Sequence, residues 1–436
     1  MTSVEDLTQS LGMELFTLAQ KESQLITKPF WWKEKAIMWF ARDDNLRTQM
    51  LRFVDVFPAL KTTEGKTQHL REYLIQSLTR TPTLFRVADA LSRFPVGANL
   101  VASIAKQSIK TVSRQFITRS TPEEVLIAIR KLQKEGVSYT LDILGEAVLS
   151  ESEADEYMGK YISLMEQLFS QGLSRIDLSL KLSALYSQFN PIDFGGSVEA
   201  VKNRLRKILR VAKNMAASVT VDAEQSQYLD MTLTIFKEIL DEEEFKNFEN
   251  AGIAMHAYFL DSEEKIRELI TWAKDRAAPI LVRLVKGAYW DWEIITAEQK
   301  GWPIPVYREK WQTDASFERC TDLLLENGDI IRLGVASHNI RSIAQAMAKA
   351  STLNTTRDRL EFQVLAGMGD LLRKAILRMG YPVRVYMASG ELLPGMGYLV
   401  RRIIENTAQT GFLFQSLVAC IPVEELLKSP QGATLT

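Results

Sequence analysis

Cysteine and histidine are scarce in this chain. Its 436 residues include two cysteines, Cys320 and Cys420, too few for a disulfide framework or a paired CxxC metal site, which suits a reducing compartment. There are three histidines, His69, His256 and His338, and no Cys/His/Asp cluster has metal-ligand spacing. No run of about eighteen apolar residues occurs, so no membrane-spanning helix is expected. Charge of either sign is not in excess: the formal net charge is −1, which gives a nucleic-acid or anionic-membrane partner no support from bulk electrostatics. No GxGxxG follows a strand-like run, so nothing points to a Rossmann domain. Glu5 and Asp6 precede any apolar segment, unlike a signal peptide, and residues 1–20 lack clustered Lys/Arg. A cytoplasmic protein that does not bind DNA is the expectation.

What is present is ordinary in amount and unusual in arrangement. Hydrophobic residues make up 46% and charged residues 25%, a soluble globular balance. The length suits a barrel of about 250 residues plus a smaller domain. Residues 1–135 read as a helical arm, with Leu11, Leu15 and Leu18, then Ile37 and Phe40, then Leu70, Leu74 and Leu78 at three- and four-residue spacing. Phe30, Trp31 and Trp32 form an aromatic knot expected to anchor these helices to the main domain. Thr121-Pro122-Glu123-Glu124 opens a helix that ends near Gly136.

From there the rhythm changes. Eight short apolar or β-branched runs alternate with amphipathic helical segments: Val137–Leu144, Ser174–Leu182, Ser218–Val221, Ile253–Leu260, Ile280–Val285, Ile331–Ala336, Leu360–Leu365 and Val383–Met387. This predicts an α/β fold, a (βα)8 TIM-like barrel over 136–420, preceded by the all-helical N-terminal region and followed by a tail, 421–436.

Active sites of such barrels lie at the C-terminal strand ends. Asp142 and Glu146 flank the first, Lys181 the second, Asp222 the third, His256 lies in the fourth, Arg283 and Lys286 end the fifth, Ser337 and His338 the sixth, Leu365 the seventh and Tyr386 the eighth. Each has an ordinary explanation alone, such as a snorkelling lysine or a capping aspartate. Polar residues at nearly every strand end are harder to dismiss. Beyond the eighth strand, Arg401 and Arg402 lie four and three residues before Glu405. Spacing leaves two readings open, an intrahelical ion pair or a pair of guanidiniums clamping a carboxylate.

The segments LSLKLSALY, VTVDAE, LVRLVKGAYWDWE, FQVLAGMG and YLVRRIIEN, in this order, resemble the proline dehydrogenase domain of the proline utilisation A flavoenzymes. The helical arm resembles, on weaker signals, the arm before the barrel in the bifunctional members. The resemblance implies a distorted barrel holding FAD non-covalently, oxidation of L-proline to 1-pyrroline-5-carboxylate, electrons passed to a membrane quinone, and hence a peripheral membrane contact. It also implies an aldehyde dehydrogenase domain or partner for the product. By matching positions it assigns the substrate carboxylate to Lys181, Arg401 and Arg402, and catalytic roles to Asp222 and Arg283, joined by Lys181 and Tyr386. It places Tyr386, Tyr289, Leu284, Tyr398 and Leu365 around the proline ring. Flavin contacts fall on Asp222, Ala223, His256, Arg283, Lys286, Gly287, Ala288, Ser337 and His338, with Glu224 and Glu405 as supporting carboxylates. Two positions depart from the family pattern, His256 for Gln and Ser337 for Thr, and the loop Ala388–Gly397 differs from the common form, leaving substrate range open. An imidazole at 256 is expected to charge near pH 6 to 7 and to stabilise reduced flavin.

The residue types suit this chemistry on their own terms. Taking a hydride from carbon beside an amine needs an electron acceptor that side chains cannot supply, and Arg283 and Lys286 would stabilise a ring that gains negative charge. Two competing readings are a flavoenzyme for hydroxyproline or another cyclic amino acid, and a non-catalytic barrel used as a binding or regulatory module. The second would be expected to have lost some of Lys181, Asp222, Arg283, Arg401 and Arg402.

Overall fold

The computed structural model describes residues 3–25, 45, 48–49, 52–53, 56, 60, 62–73, 90, 94–118, 121–145, 148–390, 398, 402 and 421–430. Eight strands, all parallel, close on themselves: β1 (Ser138–Ile143), β2 (Asp177–Leu180), β3 (Ser218–Val221), β4 (Ala251–His256), β5 (Ile280–Val285), β6 (Ile331–Ala336), β7 (Leu360–Leu365) and β8 (Val383–Ser389). Closure is made by β8, which pairs with β7 from Phe362↔Val383 to Leu365↔Tyr386 and with β1 from Ser138↔Arg384 to Ile143↔Ser389. The expected (βα)8 barrel is therefore the observed one. Where β7 stops, a two-residue strand, Ile117–Thr118, pairs with Ala388 and Ser389, the one described strand in a region expected to be helical.

Between the strands lie the helices of the outer ring. In chain order the described helices are α1 (Val4–Leu25), α2 (Thr63–Arg71), α3 (Pro95–Phe116), α4 (Pro122–Lys134), α5 (Glu151–Ser170), α6 (Phe194–Asn214), α7 (Ser226–Asp241), α8 (Ser262–Arg276), α9 (Trp290–Lys300), α10 (Lys310–Leu325), α11 (Ile340–Thr352), α12 (Asp370–Arg378) and the single turn α13 (Val423–Leu426). Their starts follow local rules. Thr121 caps α4 by accepting from the Glu124 amide, with Pro122 in the first turn, and Ser150 caps α5 and Asn339 caps α11 in the same way. Two strand boundaries differ from expectation. Strand β2 stops at Leu180 because Lys181 begins a 3-10 turn, Leu182–Leu185. Strand β4 stops at His256, and Phe259 instead bridges Val306 antiparallel.

The apolar core lies between barrel and helices, where Val282, Leu284, Val335 and Phe362 point outward and meet Leu269, Phe317 and Ile343. The barrel interior is different. Alternation along each strand sends Thr140, Ser179, Arg283 and Gln363 inward, and below them Asp177, Glu361 and Arg384. A polar interior must be hydrogen-bonded throughout, and Arg384 accordingly bonds Asp177 at 2.7 Å and Glu361 at 2.6 and 2.9 Å.

Helix α1 packs outside the barrel on α11 and α12. Its anchor is buried Arg341 of α11, which bonds Glu5 at 2.6 and 2.8 Å, Glu318 of α10 at 2.8 and 3.1 Å, and the Leu427 carbonyl at 2.5 Å. Gly12 gives Leu427 room: a Cβ there would stand 2.6 Å from a Leu427 methyl. The Phe30-Trp31-Trp32 knot, Glu146, Arg401 and Glu405 lie outside the described residues.

Candidate active site

Four side chains from four strands meet at the C-terminal mouth, and Asp222 is their centre. It directly follows β3, and its amide extends the sheet by bonding the Leu180 carbonyl at 2.8 Å. Its Oδ1 accepts from Arg283 Nη1 at 2.6 Å; its Oδ2 accepts from the Tyr386 hydroxyl at 2.7 Å and from Lys181 Nζ at 3.3 Å. Burial alone would push this carboxyl up, but the charges of Lys181 and Arg283 and the Tyr386 hydroxyl outweigh it and hold it below the usual aspartate value. Burial opposes the Lys181 charge too, and the carboxylates of Asp142 and Asp222 overcome it, so the ammonium is held well above the ordinary lysine value. Burial, then Asp142 and Asp222, push the Tyr386 phenol far up. At neutral pH the cluster is thus carboxylate, ammonium, guanidinium and neutral phenol.

Arg283 carries this cluster down into the barrel. Its Nε bonds Gln363 Oε1 at 2.6 Å and its Nη1 bonds Ser179 Oγ at 2.8 Å, and its guanidinium carbon lies 5.2 Å from the centre of the Tyr386 ring. Gln363 passes the contact on to Glu361 at 2.6 Å. Gly334 makes room for that amide, since a Cβ there would stand 2.5 Å from Gln363 Nε2.

The residues assigned to the flavin ring the same mouth. His256 is almost wholly buried, edge-on to Tyr258, Phe259 and Tyr289 at 4.9, 5.3 and 6.4 Å between ring centres. Burial pushes its imidazole down to about 3, against a small opposing pull from Asp222. The expectation that it charges near pH 6 to 7 is therefore overturned: an apolar, aromatic cage favours the neutral ring. Lys286 donates to Asp314 of α10, which also accepts from Lys310 at 2.5 Å. Gly287 has φ +147, and a Cβ there would meet the Tyr258 ring at 2.3 Å, so no other residue fits. Ser337 Oγ accepts the Asn339 amide at 3.1 Å and helps open α11. His338 Nε2 faces the Leu365 amide at 3.2 Å, tying the ends of β6 and β7 together. Glu224, pushed up by burial, accepts from the Ser183 hydroxyl at 2.6 Å and the Ser183 amide at 3.2 Å. Ala223 and Tyr289 are half-buried and Ala288 exposed at the same rim.

Leu365 stands in register with Tyr386. Leu284 does not join them: it follows inward-facing Arg283 by one residue, so strand alternation turns it into the helix-facing core. Arg402 lies with its guanidinium carbon 5.2 Å from the Tyr398 ring centre. Sequence reasoning missed Gln363, Ser179 and Asp314 as partners. The signal for Gln363 was present, a polar residue at an inward position of an apolar strand.

The buried polar atoms at this mouth with no partner among the described residues include His256 Nδ1 and Arg283 Nη2. These two lie on neighbouring strands whose ends pair as Ala254↔Arg283 and His256↔Val285. Unmatched buried polar atoms are costly, and a flat heteroaromatic ring bearing both donors and acceptors would match them. The residues present fit a flavin.

Residues 125–415 match the family model described as proline dehydrogenase, and residues 5–116 match that of the proline utilization A N-terminal domain. The chain belongs to the proline dehydrogenase family. It is 30% identical over 349 residues to the bifunctional protein PutA of Escherichia coli, covering 77% of this chain and 26% of that protein. It is 28% identical over 306 residues to proline dehydrogenase 1 of Bacillus subtilis, covering 70% of this chain and 90% of that one. A solved structure of Bdellovibrio bacteriovorus proline utilization A, inactivated by N-propargylglycine, superposes with TM-score 0.89 at 37% identity, covering 100% of this chain and 45% of the other. This proline dehydrogenase family chain thus spans about a quarter of the length of the curated PutA relatives.

Proposed function

We propose that this chain oxidises L-proline to 1-pyrroline-5-carboxylate, using FAD held at the strand ends, and passes the electrons to a membrane quinone. The observation that carries the reading is the cluster of Lys181, Asp222, Arg283 and Tyr386 at the mouth of a barrel whose span matches the proline dehydrogenase family. His256, Arg283, Lys286, Gly287, Ala288, Ala223, Ser337 and His338 would hold the cofactor, with Glu405 in support. A bound flavin supplies the two-electron acceptor that side chains lack.

The chain's own residues do the rest. Lys181 with Arg402 and Arg401 binds the carboxylate, and the forked guanidiniums suit that geometry. Tyr386, Leu365, Tyr289 and Tyr398 flank the ring and keep water away from it. The amine must be neutral before it is oxidised. Ionised Asp222 cannot donate a proton; it holds Arg283 and Lys181 in place and remains an acceptor. A lipid-soluble quinone makes the protein a cytoplasmic one that touches the membrane peripherally. The PutA relatives are named bifunctional, and an aldehyde dehydrogenase domain or partner that takes the product is part of this proposal.

The test is an anaerobic titration of the purified holoprotein with L-proline, followed by denaturation and identification of the released chromophore. Bleaching of the flavin absorbance by proline and recovery of FAD are expected. Recovery of FMN would overturn the cofactor, and a flavin untouched by proline would overturn the activity.

A further inference from the structure

The Lys181 ammonium lies between two carboxylates that do not have the same duties. Asp222 serves Arg283 and Tyr386 as well as Lys181. Asp142, the last residue but one of β1, is 1% exposed, and its Oδ2 accepts from Lys181 Nζ at 2.9 Å, closer than the 3.3 Å to Asp222. Its other oxygen, Oδ1, is buried with no partner among the described residues. A buried carboxylate with half its accepting capacity unused is a cost to stability. Among the described residues its one hydrogen-bond partner is Lys181.

We propose that Asp142 is a positioning residue: it fixes the Lys181 ammonium so that one N–H remains for the substrate carboxylate. This rests on the proline reading above. An ammonium has three donors. Two carboxylates on β1 and β3, drawing from two sides, hold two of them, and tetrahedral geometry then sets the third. The formal charges of Asp142, Asp222, Lys181 and Arg283 sum to zero, so the cluster offers an incoming anion no surplus of positive charge. What it offers is a donor in a fixed direction. Without the Asp142 charge, Lys181 is drawn onto Asp222 alone, competes there with Tyr386 for Oδ2, and loses that direction. A purely structural ion pair would support the fold equally whatever the substrate.

The test uses the flavin-loaded enzyme as purified, with steady-state kinetics on L-proline and on pyrrolidine, which has the ring and amine and no carboxylate. Asp142→Asn should lower kcat/KM for proline by about tenfold or more, the size of one lost charge-assisted hydrogen bond, chiefly through KM. The loss on pyrrolidine should stay within about threefold. In the background of Lys181→Met, adding Asp142→Asn should cost nothing further on proline, because Asp142 acts through the lysine. Equal losses on both amines, or a further tenfold loss in the double variant, overturn the role. Should Asp142→Asn fail to fold, the comparison of Lys181→Met with the double variant decides by itself, since neither holds an unpaired lysine. A wild-type enzyme that oxidises neither amine overturns the proline reading and this role with it. An active wild type with equal losses overturns the role alone.

Discussion

Arg283 of β5 and Asp222 at the end of β3 meet inside the barrel, Nη1 to Oδ1, at 2.6 Å, both largely buried. The pair is the junction between two polar systems: the mouth cluster above, and the column Gln363–Glu361–Arg384–Asp177 below. A (βα)8 barrel usually fills its interior with branched apolar side chains. Here a continuous run of hydrogen bonds replaces them, and the geometry of the mouth depends on it.

The Asp222 carboxyl is held below its ordinary value, so its contribution to stability is complete above about pH 4 and is lost as pH falls through the folded value. Denaturant midpoints of the wild type should drop more steeply below about pH 4 than those of Asp222→Asn. Parallel curves would show that Asp222 is not the titrating group.

His256 has the opposite ionisation and the same direction of pH effect. Its imidazole is pushed down from the usual 6.5 to about 3, so between those values the unfolded chain binds a proton that the folded chain refuses. Relative to His256→Gln, the wild type should lose about 1.4 kcal/mol of stability per pH unit on going from about pH 6 to about pH 4. Above pH 6.5 the two should run in parallel, and so should their flavin potentials between pH 6 and 7. A steeper potential for the wild type in that range would sink the neutral-imidazole account.

Gln363→Leu removes the acceptor that holds Arg283 Nε and leaves a buried guanidinium short of a second bond. A hydrogen bond to a charged group contributes about 1.5–3 kcal/mol. Activity on proline should therefore fall by about tenfold or more, with a stability loss of similar size. Steady-state kinetics beside chemical denaturation measures both, and an unchanged kcat/KM would rule the contact out as a support of the site.

Arg402→Met separates the two readings left open for this arginine. As a carboxylate ligand, its loss should lower kcat/KM for proline at least about tenfold and leave pyrrolidine oxidation nearly unaffected. As an intrahelical ion pair with Glu405, its loss should produce small, equal effects on both amines.

Arg341→Met tests the anchor of the first helix. It would strand Glu318, a buried carboxylate pushed up by its burial, and release Glu5 and the Leu427 carbonyl. Breaking a buried ion pair costs about 3–5 kcal/mol, so the denaturation midpoint should fall sharply. Changing Glu318 to Leu as well should recover part of it. Equal stability of the single and double variants would show that Glu318 was not the stranded charge.

The sequence alone was enough for the fold class and for the list of polar strand ends. Alternation of short β-branched runs with amphipathic segments is a local pattern, with periods of two and 3.6 residues, and it places Asp222, Arg283, His256 and Tyr386 near strand ends without knowledge of any partner. Six of the eight strands lie within two residues of their expected ends at both boundaries, and β2 and β4 differ where a 3-10 turn and a bridge intervene. Partnership was another matter. Lys181 meets Asp142 across 39 residues, Arg283 meets Gln363 across 80, and Arg341 meets Glu5 across 336. The first two depend on the register in which eight strands close and the third on how α1 docks outside the barrel, and no local period encodes either. The same closure settles which side of β5 is inward, and so excludes Leu284 from the mouth while admitting Arg283. It also builds the aromatic cage that keeps His256 neutral: the residue type named an imidazole, and only its burial by Tyr258, Phe259 and Tyr289 decided its charge.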